Sequence, residues 1–191
     1  MSVFPRFGSG FYGAAGALAL ILLGLWLVSL VTRPPACTDV SLVEQLLVTE
    51  RPDMGSRERA FLLGAITHAA FQEKVSASLL AAVLAVENGF HGRGLSATGA
   101  RGMGQVMPSW LGKPQCAKDT NLQEIEPNLR CAAAILRYEL DESKGDVQQA
   151  LRRYNAGPQG QAKVQQYADQ TQLKLARAQF ARCAPFVKEK P

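Results

Sequence analysis

Residues 76–89 read Ser76-Ala-Ser-Leu-Leu-Ala-Ala-Val-Leu-Ala-Val-Glu87-Asn-Gly89. Leu79, Leu80, Val83, Leu84 and Val86 recur at helical spacing, Ser76 stands where an N-cap belongs, and Gly89 stands where such a helix would end. The stretch therefore predicts a helix over 77–88 that lies in the core and presents Glu87 near its C-terminal end. Glu87 is the only carboxylate between Glu73 and Asp119. Burial and the negative end of the helix dipole both disfavour its anion, so its proton should be held to higher pH than that of a free glutamate. Each unit of such a shift is worth about 1.4 kcal/mol, and a few units keep an acid protonated near neutral pH.

Helical patterns extend outward on both sides. Segments are expected at 42–49, at 57–73 behind a Ser56 cap, at 127–141 with Pro127 in the first turn, at 147–154 behind Asp146, and at 161–180. No strand pattern competes with them, so the fold class is all-α. The glycine-rich run 91–101 reads as a loop that brings backbone close to another part of the molecule.

The N-terminal part has a different character. No residue from Phe7 to Thr32 is charged, and 11–31 is almost wholly apolar and about the length a bilayer core requires. Residues 1–32 are accordingly expected to be an N-terminal membrane anchor helix or signal segment. The anchor is favoured because no small-x-small cleavage site follows the run. Residues 33–40 follow as a linker stiffened by Pro34 and Pro35, and 41–187 as one domain. Cys37, Cys116, Cys131 and Cys183 all lie beyond the apolar run. Their even number suits two disulfides in an oxidising compartment, with Cys116–Cys131 and Cys37–Cys183 as the expected pairs and four buried thiols as the alternative.

Of the 21 Lys and Arg, all but Arg6 and Arg33 follow Cys37, against 16 Asp and Glu. That balance is too mild and too dispersed for a nucleic-acid surface. His68 and His91 have no paired spacing, and no metal or other cofactor is expected.

Three blocks then stand out together: Glu87-Asn88-Gly89-Phe90, the run from Ser96 through Gly102-Met103-Gly104-Gln105 to Pro108, and Tyr154-Asn155-Ala156-Gly157-Pro158. In order and spacing they resemble the lytic transglycosylase family, with a lysozyme-like fold, over residues 75–168. A fourth block, 128–136, is similar to that family's helix beginning with asparagine. The chain departs from the pattern at Asn88, where serine is usual, at Gly104, where methionine is usual, and at Ala132 and Ile135, where glycine and tyrosine are usual. Gly104 is expected to remove a side chain from the glycan groove.

The resemblance implies that Glu87 is catalytic, acting first as acid and then as base on the MurNAc-GlcNAc linkage of peptidoglycan and leaving a 1,6-anhydro end. Most glycosidases use a second carboxylate. Asp119, Glu124 and Glu139 are the distant acids that folding could bring close. The implied substrate-binding residues are Asn88, Ser96, Met103, Gln105, Tyr154 and Asn155. Tyr154 should orient Glu87 or the substrate acetamido group, and Ser96 should pin the loop. Met103, Met107 and Trp110 are expected to fill core or line a groove. Arg93 and Arg101 are candidates to meet stem-peptide carboxylates. The implied partners are peptidoglycan strands, the inner membrane through the N-terminal helix, with the domain in the periplasm, and a secretion, conjugation or pilus machine. A lysozyme-like hydrolase and a non-catalytic glycan-binding scaffold are the alternative functions.

Overall fold

The computed structural model describes residues 38–156 and 165–183, with side chains in the second stretch for 166–179. The expected membrane segment, the Cys37–Cys183 pair, Gly157-Pro158 and the start of the last expected helix lie outside these residues. Among the described residues six α-helices follow one another: α1 Asp39–Glu50, α2 Ser56–Glu73, α3 Ala77–Asn88, α4 Ile125–Glu142, α5 Val147–Ala156 and α6 Gln165–Cys183. A short 3-10 turn covers Pro108–Trp110. The described residues contain no extended strand, only isolated bridges such as Leu95 with Arg101 and Arg101 with Val106.

The stretch that opens the reading is the centre of the fold. Every residue of α3 from Ala77 to Ala85 is buried, the signature of a helix surrounded on all sides. It is packed by α1, α2 and α6, with a lighter contact to α4, while α4 rests on α2 and α5. Small residues make this possible: Ala81, Ala82 and Ala85 let neighbouring helices approach, and Leu80, Val83 and Leu84 fill the space between them.

Both ends of α3 are fixed. At its start, the Ser76 hydroxyl accepts from the Leu79 amide at 3.1 Å. Asp39, from α1, accepts from the amides of Ala77 at 2.6 Å and Ser78 at 3.0 Å. Burial pushes the Asp39 carboxyl up, but the hydrogen bonds from Ser78, Ala77 and Ser76 outweigh it and hold the group below the usual carboxylate range. At the other end Gly89 turns left-handed at φ 55, a conformation that costs a side-chain-bearing residue about 1 kcal/mol or more. Phe90 follows at φ 62 and is fully buried. Glu87 is thereby held in the last turn of a helix whose end is fixed.

Several helix starts differ from expectation. The N-cap of α2 is Gly55 and Ser56 is the first helical residue, with no side-chain cap bond. The helix α4 begins at Ile125, two residues before Pro127, which still falls in the first turn, where its missing N–H costs nothing. Asp146 does cap α5, accepting from the Gln149 amide at 3.0 Å.

Cys116 and Cys131 form a disulfide with their Cα atoms 5.0 Å apart. It ties the segment after the 3-10 turn to α4. Closing a loop of this size is worth about 3 kcal/mol through the entropy of the unfolded chain.

Candidate active site

Beyond Gly89 the chain folds back over α3 and α4 and makes one wall of a cleft. Asn128, on α4 and 0% exposed, organises that wall. Its Oδ1 accepts from the Gly104 amide at 2.7 Å, and its Nδ2 donates to the carbonyls of Arg101 at 2.8 Å and Leu122 at 3.0 Å. One buried side chain thus satisfies three backbone groups from two loops. The wall continues through the Arg101–Val106 bridge, with Gln105 at the turn in a left-handed conformation, φ 47. Such a φ on a non-glycine residue is the kind of local strain that gathers at functional sites.

The cleft is lined by Glu87, Ser96, Thr98, Ala100, Gln105, Val106, Met107, Trp110, Ile135, Tyr154 and Asn155. Of the residues expected to bind substrate, Ser96, Gln105, Tyr154 and Asn155 therefore share one cleft with Glu87. The other two lie behind it. Asn88 turns its amide into the loop, donating to the His91 carbonyl at 2.7 Å and toward that of Gly102 at 3.4 Å. Met103 is 0% exposed and belongs to the core.

Ser96 does pin the loop. Its hydroxyl accepts from the Ala100 amide at 2.9 Å and pairs with the Thr98 hydroxyl at 2.9 Å. Gln105 spends its amide on the Gly102 carbonyl at 2.8 Å. Tyr154 is held from below rather than by Glu87: its hydroxyl donates to the Gly104 carbonyl at 3.0 Å.

Glu87 itself is half-buried, and its partner comes from elsewhere. The Tyr167 hydroxyl, on α6, donates to Glu87 Oε1 at 2.7 Å. Burial raises the Glu87 carboxyl to about 7, and the Tyr167 hydrogen bond opposes that shift without cancelling it. Desolvation is thus the dominant cause. Burial and the nearby Glu87 charge also push both phenols, Tyr154 and Tyr167, well above their usual range, so each stays a neutral donor.

Among the described residues no second carboxylate lines this cleft. Asp119 is exposed. Glu124 borders a different groove, with Phe61 and Ile125. Glu139 is buried between α4 and α5, where Arg153 Nε reaches its Oε2 at 2.6 Å. Arg93 lines the groove with Phe61 and not the cleft, and Arg101 is exposed. A larger groove, about 460 Å³, runs between α2 and α4 past Phe61, Gly64 and His68. The cleft with Glu87 is smaller, but it joins a desolvated acid to a set of convergent polar groups, which is the better mark of a site.

Gly104 does not open the groove by lacking a side chain. It is buried, and a Cβ there would come within 2.6 Å of the Ala132 Cβ and 3.4 Å of the Tyr154 hydroxyl. A side chain at 104 would collide with the interior of α4. Glycine at 104 and alanine at 132 form one contact, with the extra methyl carried on α4 instead of the loop.

Reading the sequence missed Tyr167, Thr98 and Ile135 as part of the site and Asn128 as its clamp. Tyr167 sits in a polar stretch of α6 with nothing local to mark it.

Residues 64–176 match the family described as "Transglycosylase SLT domain". Among solved structures the fold is similar to that of the lytic transglycosylase Slt from Pseudomonas aeruginosa, determined as an inactive mutant. The identity is 21% and the TM-score 0.54, over 64% of this chain and 24% of that one. At that identity the likeness is one of fold, and this chain spans about a quarter of the length of that protein. The matched segment takes in α3, the cleft wall, α4, α5 and most of α6, and the chain belongs to the transglycosylase SLT domain family.

Proposed function

We propose that the chain is a peptidoglycan lytic transglycosylase that cleaves the β-1,4 bond between MurNAc and GlcNAc and leaves 1,6-anhydromuramic ends. The observation that carries this reading is a desolvated carboxyl, Glu87, held at about 7 in a cleft that has no second acid among the described residues.

At neutral pH a large share of Glu87 is protonated, so it can give its proton to the linkage oxygen as the bond from C1 breaks. The muramyl acetamido group stabilises the oxocarbenium-like centre. Glu87, now a carboxylate, takes the proton of the sugar's own 6-hydroxyl as that oxygen bonds to C1. The proton that left Glu87 is replaced, and water is not consumed. An inverting hydrolase would need a base for water, and a retaining one a second carboxylate nucleophile. Among the described residues no such group lines the cleft, which favours transfer within the sugar.

Tyr167 occupies Oε1 of Glu87 and leaves Oε2 for the linkage oxygen. Gln105, Asn155, Ser96 and Thr98 supply hydrogen-bonding groups along the strand, and Ile135 and Met107 supply apolar surface for sugar rings and acetamido methyls.

The same reading places the domain on the periplasmic side of an inner membrane, anchored through residues 11–31. There it opens the wall locally for an envelope-spanning secretion, conjugation or pilus machine. The long uncharged apolar run and the cysteine pattern support this placement.

Glu87→Gln tests the role of the acid. It keeps the shape and removes the transferable proton, and release of soluble fragments from purified peptidoglycan should fall by about 100-fold or more. Unchanged release would assign the activity to another group.

A further inference from the structure

Glu139 is fully buried on α4, and the proposed chemistry does not use its charge. The Arg153 guanidinium, on α5, meets it. Nε donates to Glu139 Oε2 at 2.6 Å, and Nη2 lies 3.8 Å from Glu142 Oε2, about one turn further along α4. One planar group thus spans two carboxylates of the neighbouring helix.

Such a pair is a poor source of stability. Among the described residues Glu139 Oε1 and the Ser143 hydroxyl, about one turn apart on α4, are buried without a hydrogen-bond partner. One oxygen of the carboxylate is therefore uncompensated. A buried ion pair is often matched or bettered in stability by apolar side chains of similar volume. What those side chains do not supply is direction. Apolar burial is non-directional, whereas a guanidinium fork meets carboxylates in a defined plane.

The helix α5 needs that direction. With 10 residues it is the shortest of the described α-helices, and it buries only Ala150 and Leu151 fully. A further tie, Gln148 Nε2 to Gln172 Oε1 on α6 at 2.6 Å, lies near its start. Arg153 lies near its end, where the next residues are Tyr154 and Asn155, both in the cleft lining with Glu87. The Tyr154 hydroxyl reaches the Gly104 carbonyl at 3.0 Å only if α5 keeps its rotation. A misplacement of about 1 Å in a reacting assembly can cost on the order of 100-fold in rate.

We propose that Glu139 and Arg153 are positioning residues for the cleft: their ion pair, extended to Glu142, sets the rotation of α5 and so the placement of Tyr154 and Asn155 beside Glu87. This rests on the proposed transglycosylase activity and adds to it two residues outside the cleft lining.

Two measurements on the full-length protein test this, each on native protein, on the apolar double variant Glu139→Leu/Arg153→Leu, and on Arg153→Lys. The first is cleavage of soluble glycan strands. The double variant should stay folded, keep KM within about 3-fold and lose kcat by about 10- to 100-fold. Arg153→Lys keeps a cation beside Glu139 but loses the fork to Glu142, and should lose about 3-fold in kcat. Native kcat in both variants overturns the proposal, as does a loss that falls on KM instead. Should the double variant fail to fold, Arg153→Lys carries the test by the same criteria.

The second is the Gly104 carbonyl carbon resonance, read with glycine labelled at its carbonyl carbon and glutamine at its amide nitrogen. Tyr154→Phe identifies the signal and marks its position without the hydrogen bond. In both variants the resonance should move toward that position, further in the double variant. A resonance that stays at its native position overturns the proposal. Because this measurement needs no turnover, a protein whose resonance moves but which cleaves no strand keeps the positioning role and refutes the proposed activity.

Discussion

The Tyr167 hydroxyl donates to Oε1 of Glu87 at 2.7 Å across a separation of 80 residues. It ties the central helix to α6 at the reacting group. The tie has an electrostatic sign: a donor favours the carboxylate, so Tyr167 lowers a proton affinity that burial raises. Tyr167→Phe leaves the burial and removes the donor. The alkaline limb of the rate profile should move up by about half a unit to one unit. The rate at its maximum should fall by about 10-fold, because a stronger hold on the proton and a freely rotating carboxyl both hinder transfer. A profile recorded from pH 5 to 9 checks both. A lower rate with an unmoved limb would make Tyr167 a packing residue only.

Stability should carry the same signature. Glu87 binds its proton more tightly in the folded protein, at about 7, than an ordinary glutamate does at 4.5. The extra stability of the protonated form is complete below about 4.5 and is lost as pH rises through about 7. Glu87→Gln removes that dependence. Relative to native protein the variant should gain on the order of 2 kcal/mol at pH 8 and little at pH 4. Urea melts at the two values decide it, and a gain that is equal at both would show that the acid is not desolvated.

Asn128 offers a test of the cleft wall. Asn128→Ala strips partners from Gly104, Arg101 and Leu122 at once. Unsatisfied buried groups cost about 1–3 kcal/mol each, less what water recovers, so a loss of about 2–4 kcal/mol is expected. A Tm change of less than a degree would show that the loops hold without it.

The pairing of Gly104 with Ala132 predicts non-additivity. Gly104→Ala puts a methyl within 2.6 Å of Ala132 and should destabilise the domain by about 1–3 kcal/mol. Adding Ala132→Gly should recover at least half of that loss. A double-mutant cycle by chemical denaturation measures the coupling, and strict additivity would sever the two positions.

What could be read in advance was local. Ser76, Gly89 and the spacing of Leu79, Leu80, Val83 and Leu84 gave the central helix, because caps and helical periodicity are written within a few residues. The turn and helix start that Cys116 and Cys131 flank gave their pairing. Ser56 misled because a hydroxyl at a helix start serves as cap or as first residue, and the backbone at Gly55 settled which. Tyr167, Asn128 and the Glu139–Arg153 pair were not legible. Each acts on a partner brought to it by helix packing, and nothing in a polar residue's neighbours records which partner that is. Asn88 shows the converse: its position beside Glu87 suggested substrate, and packing sent its amide into the loop.

Digestion of peptidoglycan by the full-length protein in heavy-oxygen water, read by mass spectrometry, tests the proton cycle at Glu87 most directly. Transfer within the sugar gives anhydromuramic ends with no heavy oxygen incorporated. Reducing ends bearing one heavy oxygen would show that water is the nucleophile and that Glu87 does not recover its proton from the 6-hydroxyl.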